Sequence, residues 1–256
     1  MKLSMKVAAI SLYTVMIPLA ATAQVKPHVT SYFDSPFTGV IAQLVDGASW
    51  KSIVTVINRD MAPGNYTLRF YADNGSPMTI QTTDGTGNTL TGTIPGGGSH
   101  VIQSAGTSAT LSQGWALLDT GNTNIVGSAI FRTSAPGRPD FEASLPIVTY
   151  VNANRYVLPL DNSTSATGIA SANPLSHTSM TVFVTFRDEQ GNQFFVDSFM
   201  LAPRAHTASN LADRYPASAG RRSVVELVTP NPALGLLGLR FGALSFTSVI
   251  PITPLF

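Results

Sequence analysis

There is no cysteine in the 256-residue chain, and that absence removes disulfides, thiolate metal sites and thiol nucleophiles together. Stability must come from burial. Charge is scarce as well, since Asp, Glu, Lys and Arg make up 11% of the residues, under half the ~25% of an ordinary globular protein. Thr, Ser, Asn, Gln and Gly are left to cover most of the surface. The 15 basic residues less Lys2 and Lys6 of the leading segment leave 13 against 14 acidic ones, a net charge of about −1. Nucleic acid and acidic lipid, which need a concentrated basic face, are therefore not expected as partners. Past the leading segment no apolar run reaches the ~20 residues of a membrane-spanning helix.

Recognisable catalytic patterns are missing too. His28, His100, His177 and His206 stand at no metal-ligand spacing from one another. Ser99 and His100 are adjacent, so on a strand they point to opposite faces and form no nucleophile–base pair. There is no G-x-S-x-G elbow. Asp73, Asp84 and Asp188-Glu189 complete no calcium loop, and turn chemistry accounts for them. No pair among the 14 acids is spaced for glycoside hydrolysis. Asp46 and Asp161 read as loop caps that accept bonds from nearby backbone N–H groups. The chain reads as non-enzymatic, with no cofactor and no metal.

What is present begins with an export signal. Lys2 and Lys6 precede an apolar stretch from Val7 to Ala20, and the small residues Ala21-Thr22-Ala23 predict cleavage before Gln24. The stretch is too short to anchor the chain, so the expectation is a secreted protein, extracellular or periplasmic, with no membrane span after cleavage.

The second half of the remaining chain restates the first. Asp46 to Asn58 matches Asp161 to Asn173 at an offset of 115, and Tyr66 to Gly75 matches Val182 to Gly191 at 116. Further matches pair Ile94-Pro95 and Ser99-His100 with Ala202-Pro203 and Ala205-His206, Trp115–Asp119 with Arg222–Glu226, Ala129–Arg132 with Gly238–Phe241, and Ser144–Ile147 with Val249–Ile252. A period near 110 is too long for a solenoid. It predicts two tandem domains, 24–149 and 150–256, after a signal peptide over 1–23.

Within each copy the apolar pattern has a period of two. Tyr66, Leu68 and Phe70 alternate with Thr67, Arg69 and Tyr71, as Met180, Val182, Val184 and Phe186 alternate with Thr181, Phe183, Thr185 and Arg187. Asp73-Asn74-Gly75 and Glu189-Gln190-Gly191 supply hairpin turns. Seven or eight short strands per copy predict an all-β chain of two immunoglobulin-like β-sandwiches. An outer-membrane barrel is the rival, but its ~10-residue strands fit poorly with the short segments here. One helical turn is expected from Asn210 to Tyr215, closed by Pro216, while Gln103 to Gln113 reads as plain loop.

Aromatic residues are the binding candidates, because sugar rings stack on exposed Trp and Tyr. Trp50, Trp115 and Tyr71 are nominated; the matches leave both tryptophans without an aromatic counterpart, since Ser165 and Arg222 stand in their places. A residue of one copy alone serves solvent or the other copy more readily than an obligatory core, although a Trp buried within a sandwich is the commoner outcome. Arg132, Arg138, Arg221 and Arg222 form the densest positive charge and suggest a polar contact between the domains.

Taken in order, Trp50 to Asn58, the strand ending at Asp73-Asn74-Gly75, Ile94-Pro95-Gly96-Gly97-Gly98, Gly114-Trp115-Ala116 and Gly137–Ser144 resemble secreted bacterial proteins built from such tandem modules. That resemblance implies a secreted β-sandwich architecture and no catalytic residue. The expected function is a structural or interaction protein of the adhesion or matrix type, with a protein or polysaccharide at the cell surface as partner. Two alternatives stand beside it: carbohydrate binding through exposed aromatics, and assembly through strand edges.

Overall fold

The structure, a computed structural model, describes residues 38–149, 153–243 and 245–253. The expected export signal over 1–23 lies outside them, as do residues 150–152 at the expected domain boundary. The N-terminal half holds β1 (Thr38–Asp46), β2 (Trp50–Asn58), β3 (Gly64–Ala72), β4 (Ile80–Thr82), β5 (Gly85–Gly87), β6 (Thr89–Ile94), β7 (Ser99–Gln103), β8 (Ser112–Thr120), β9 (Ile125–Thr133) and β10 (Phe141–Thr149). The C-terminal half holds β11 (Arg155–Asp161), β12 (Ala166–Ala172), β13 (Met180–Arg187), β14 (Gln193–Leu201), β15 (His206–Asn210), β16 (Arg222–Val228), β17 (Gly235–Phe241) and β18 (Phe246–Val249). The expected helical turn is α1 (Leu211–Arg214), followed by a 3-10 turn at Pro216–Ser218. No helix among the described residues is long and apolar enough to cross a membrane.

Alternation drives the strands, as its period requires. Tyr66, Leu68 and Phe70 on β3 are buried, and so are Met180, Val182, Val184 and Phe186 on β13. Each such side chain contributes on the order of 1.5–3 kcal/mol of burial. Both following turns rely on a glycine in the left-handed region, with φ 85° at Gly75 and at Gly191. Each donates its N–H three residues back, to Ala72 O and Asp188 O.

All sheets are antiparallel, and among the described residues no ladder crosses between the halves. Setting aside the short β4–β5 hairpin, the strands of each half can be counted one to eight along the chain. In both halves one sheet then runs 1-6-3-4 and the other 5-2-7-8. In the N-terminal half β1 also pairs with β10, at Gly39↔Thr149 and Val40↔Val148, which joins its two sheets into one of eight strands.

A buried amide recurs at one place in both halves. Asn58 ends β2 and Asn173 follows β12, exposed by 1% and 0%. Asn58 Nδ2 donates to Ala62 O, Ile94 O and Pro95 O, and its Oδ1 accepts from Asp60 N. Asn173 Nδ2 donates to Thr178 O, Leu201 O and Ala202 O, and its Oδ1 accepts from Leu175 N. Each amide ties the end of its strand to a loop and to the end of a third strand.

These ties shift some of the sequence matches. Ile94-Pro95 corresponds to Leu201-Ala202, one residue from the alignment drawn on Pro95 and Pro203. Ile57↔Ser99 and Ala172↔His206 then set Ser99, not His100, against His206. Phe70↔Ala116 and Phe186↔Val225 set Trp115 against Val224, two residues from Arg222. Short polar loops carry too little pattern to count insertions, so the errors fall after them. The blocks at β2, β3 and β9 keep their registers.

Candidate functional site

The halves meet where β1 and β8 approach β12, β15 and β17, and where β10 runs beside β18. On the N-terminal side the pairs Val40↔Leu117, Val45↔Gln113 and Tyr71↔Trp115 place these side chains away from their own sandwich core. On the other side Ala170 pairs with Leu237, Ala172 with Gly235 and Gly168 with Leu239 across β12 and β17. Ala170, Leu237 and Phe246 belong to the same buried cluster as Ile41, Val54 and Phe131, so apolar packing runs through the junction. Close approach is required: a Cβ added at Gly235 would lie 2.3 Å from Val40 Cγ1.

Trp115, nominated as a ligand platform, has no exposed surface. Its Nε1–H donates to Arg204 O at 2.8 Å, its ring stacks on Tyr71 at 4.9 Å, and Ala172 and Leu117 pack around it. Tyr71 lies under the Arg204 guanidinium at 5.2 Å. The two aromatics therefore hold the halves together, and no external sugar reaches Trp115. The physical reason is that the second sandwich covers a face which in one sandwich alone would be wet.

The Asp73-Asn74-Gly75 turn is a second junction contact. Asp73 O accepts from His206 N at 2.9 Å, and its carboxylate takes His206 Nδ1 at 2.8 Å and Gln113 Nε2 at 2.7 Å. Burial pushes the Asp73 carboxyl up, but the hydrogen bonds from His206 and Gln113 outweigh it and hold the group below the usual carboxylate range. His206 is buried, whereas His100 is an exposed partner of Asp84 at 2.5 Å. The histidines thus have different roles as well as different registers.

Trp50, the third nominated aromatic, is half-buried and packs on Phe246 at 5.3 Å. It lines a cleft of about 300 Å³ between the halves. Phe131 and Gln43 contribute from the same half, and Ile169, Leu239 and Phe241 from the other. The structure therefore separates Trp50 from the Trp115–Tyr71 pair: Trp50 lines open space, whereas Trp115 is enclosed with the half-buried Tyr71 stacked on it.

The basic residues do not bridge the halves as expected. Arg132 pairs with Glu142 at 2.5 Å, across β9 and β10, and Arg222 with Asp161 at 3.4 Å. Arg138 and Arg221 lie over Phe141 and Phe194. Asp161 caps its own loop, accepting Ser163 N at 3.0 Å and Ser163 Oγ at 2.6 Å. The Ser163 hydroxyl, with Arg222 nearby, lowers its carboxyl to about 2 against some desolvation. Asp46 instead accepts Gly106 N, sixty residues away.

A different surface escaped the sequence reading. Thr181↔Met200, Phe183↔Ser198 and Thr185↔Val196 share the outer face of β13 and β14. On it Phe183, Val196 and Met200 are 49%, 55% and 70% exposed. β14 is the edge of its sheet and carries neither Lys nor Pro over nine residues. Phe183 was visible as an aromatic on the polar side of its strand's alternation, but Val196 and Met200 needed the register to be placed beside it. No protein-family model matches the chain, and no curated protein or solved structure is significantly similar to it.

Proposed function

We propose that the protein is a secreted, non-catalytic interaction protein of the adhesion or matrix type. It is built from two immunoglobulin-like sandwiches that arose by tandem duplication, and it contacts a protein partner through the outer face of β13 and β14. The observation that carries this reading is the contiguous exposure of Phe183, Val196 and Met200. Exposed apolar clusters rimmed by polar residues mark interaction sites on soluble proteins. Duplication is supported by the shared strand order and by the paired Asn58 and Asn173 networks. Secretion rests on the leading segment of the sequence.

Contact by the face is favoured over strand addition at the edge. Asp197 pairs with Val184 and so stands on the inward side of β14. A charge placed there disfavours a further strand, and two copies edge to edge would bring two such carboxylates together. The carbohydrate reading loses its main platform with the burial of Trp115.

The test is binding of the immobilised intact chain to cell-surface and matrix proteins, with Val196→Lys and Met200→Lys as variants. Saturable binding to a defined protein, reduced at least tenfold by either variant while folding is kept, is the expected result. Binding to polysaccharide alone, or robust turnover of a hydrolase substrate, would overturn the reading.

A further inference from the structure

The cleft beside Trp50 has three features that packing alone does not require. The first is a bulge in β1. Ile41 pairs with Ala116 and Leu44 with Gly114, so β1 spends one residue more than β8 over this step. In the C-terminal half Leu158 and Leu160 pair with Val225 and Ser223 with no such insertion. Bulges re-aim side chains and gather beside functional sites. This one delivers Gln43 to the cleft wall.

The second feature is Gln43 itself. It is 6% exposed, and its Oε1 has no hydrogen-bond partner among the described residues. A buried amide left unpaired is costly and calls for an explanation. An amide end offers an acceptor and two donors. A hydroxyl both donates and accepts, so it satisfies that amide in either orientation.

The third feature is the turn that leads into Trp50. Gly47, Ala48 and Ser49 have φ of 87°, 48° and 74°. Two of the three are not glycine, and such strain persists only where the surroundings impose it. Ala48 N donates to Ser108 O at 2.8 Å and Ser134 N to Ser49 O at 3.0 Å, which locks the turn. The turn leads directly into Trp50, which lines the cleft.

We infer that the cleft between the halves is a binding site for a small, uncharged, mainly apolar molecule bearing a hydroxyl group, with Gln43 bonding the hydroxyl and Trp50 and Leu239 contacting the apolar body. The volume is at the lower end of the range for small-molecule sites, and no charged residue lines it. Gln113, Ser209 and Asn210 add polar groups to the lining, but a sugar, polar all round, would still turn hydroxyls against Trp50, Phe131, Leu239 and Phe241. An ion would be desolvated without a counter-charge.

The experiment uses 2-naphthol and naphthalene as probes, titrated calorimetrically into the intact chain, with Gln43→Leu and Ala208→Phe as variants and thermal melting as the check on folding. The expected result is one saturable site per chain that takes 2-naphthol about fivefold to tenfold more tightly than naphthalene, the worth of one hydrogen bond. Gln43→Leu removes that preference and leaves naphthalene binding within about twofold. Ala208→Phe, which fills the cleft from the opposite wall, abolishes binding of both. Absence of saturable 2-naphthol binding up to its solubility, equal affinity for the two probes, or binding unchanged in both folded variants would overturn the inference.

Discussion

On the outer face of β3 and β6 the N-terminal half carries Asn65, Thr67, Arg69, Thr89, Thr91 and Thr93, while the same face of β13 and β14 carries Phe183, Val196 and Met200. The cores behind these faces are alike, with Leu68 and Phe70 answering Val184 and Phe186. At the junction the asymmetry runs the other way. Trp115 and Tyr71 fill it from the N-terminal side, whereas Val224, the counterpart of Trp115, stays half-buried on an outer face. The halves share one frame where buried amides and alternating apolar side chains define it, and differ where that frame meets something else.

The sharpest way to break this comparison is to truncate the two counterparts. Trp115→Ala should cost about 4 kcal/mol in denaturant unfolding, as large buried aromatics do. Val224→Ala should cost under about 1 kcal/mol. Equal costs would mean that the junction contributes nothing that an exposed strand face does not.

The buried amides sharpen the comparison from its symmetric side. Asn58→Ala and Asn173→Ala each leave three carbonyls without their donor. Each should lose about 3 kcal/mol by the same assay, and a difference of more than about half between them would break the equivalence.

Gly75 and Gly191 share φ 85° but not their surroundings. A Cβ at Gly75 would lie 2.6 Å from Pro203 O, across the junction, while one at Gly191 meets nothing within 4 Å. Gly191→Ala should therefore cost only the conformational strain, about 1 kcal/mol, and Gly75→Ala about twice that or more. Thermal melting of the two variants checks the order.

The smallest effect concerns acid. Asp161 titrates at about 2 in the fold, below the ~3.9 of an unperturbed aspartate. Its contribution to stability is present above the unfolded value and fades as pH falls from roughly 4 towards 2. Asp161→Asn should flatten that part of a stability–pH curve. Asp73 is lowered too, so its contribution is lost in the same direction, and Asp73→Asn should remove the acid sensitivity of the junction itself.

How far the sequence foretold this arrangement depends on the residue. The alternation of Tyr66–Phe70 and Met180–Phe186 revealed the strands, and the Asp46–Asn58 and Asp161–Asn173 blocks fall on corresponding strands, β2 and β12, because period and spacing survive in the chain. That Trp115 has no aromatic counterpart pointed to a special surface, but a surface for the other half looks no different in sequence from one for a sugar. His100 and His206 were set together because both follow a proline, and a single inserted residue separates them in space. Gln43 was invisible, since a bulge is a mismatch between two strands and cannot be read from one. The Phe183, Val196 and Met200 patch depends likewise on pairing between β13 and β14.

The Trp115–Tyr71 and Asp73–His206 contacts join the two halves into one unit. Differential scanning calorimetry of the intact chain, beside the Trp115→Ala variant, tests this most directly. The account predicts one transition whose calorimetric and van't Hoff enthalpies agree, and its division into two in the variant. Two separate transitions in the unaltered chain would contradict it, because the halves would then be folding and melting as strangers.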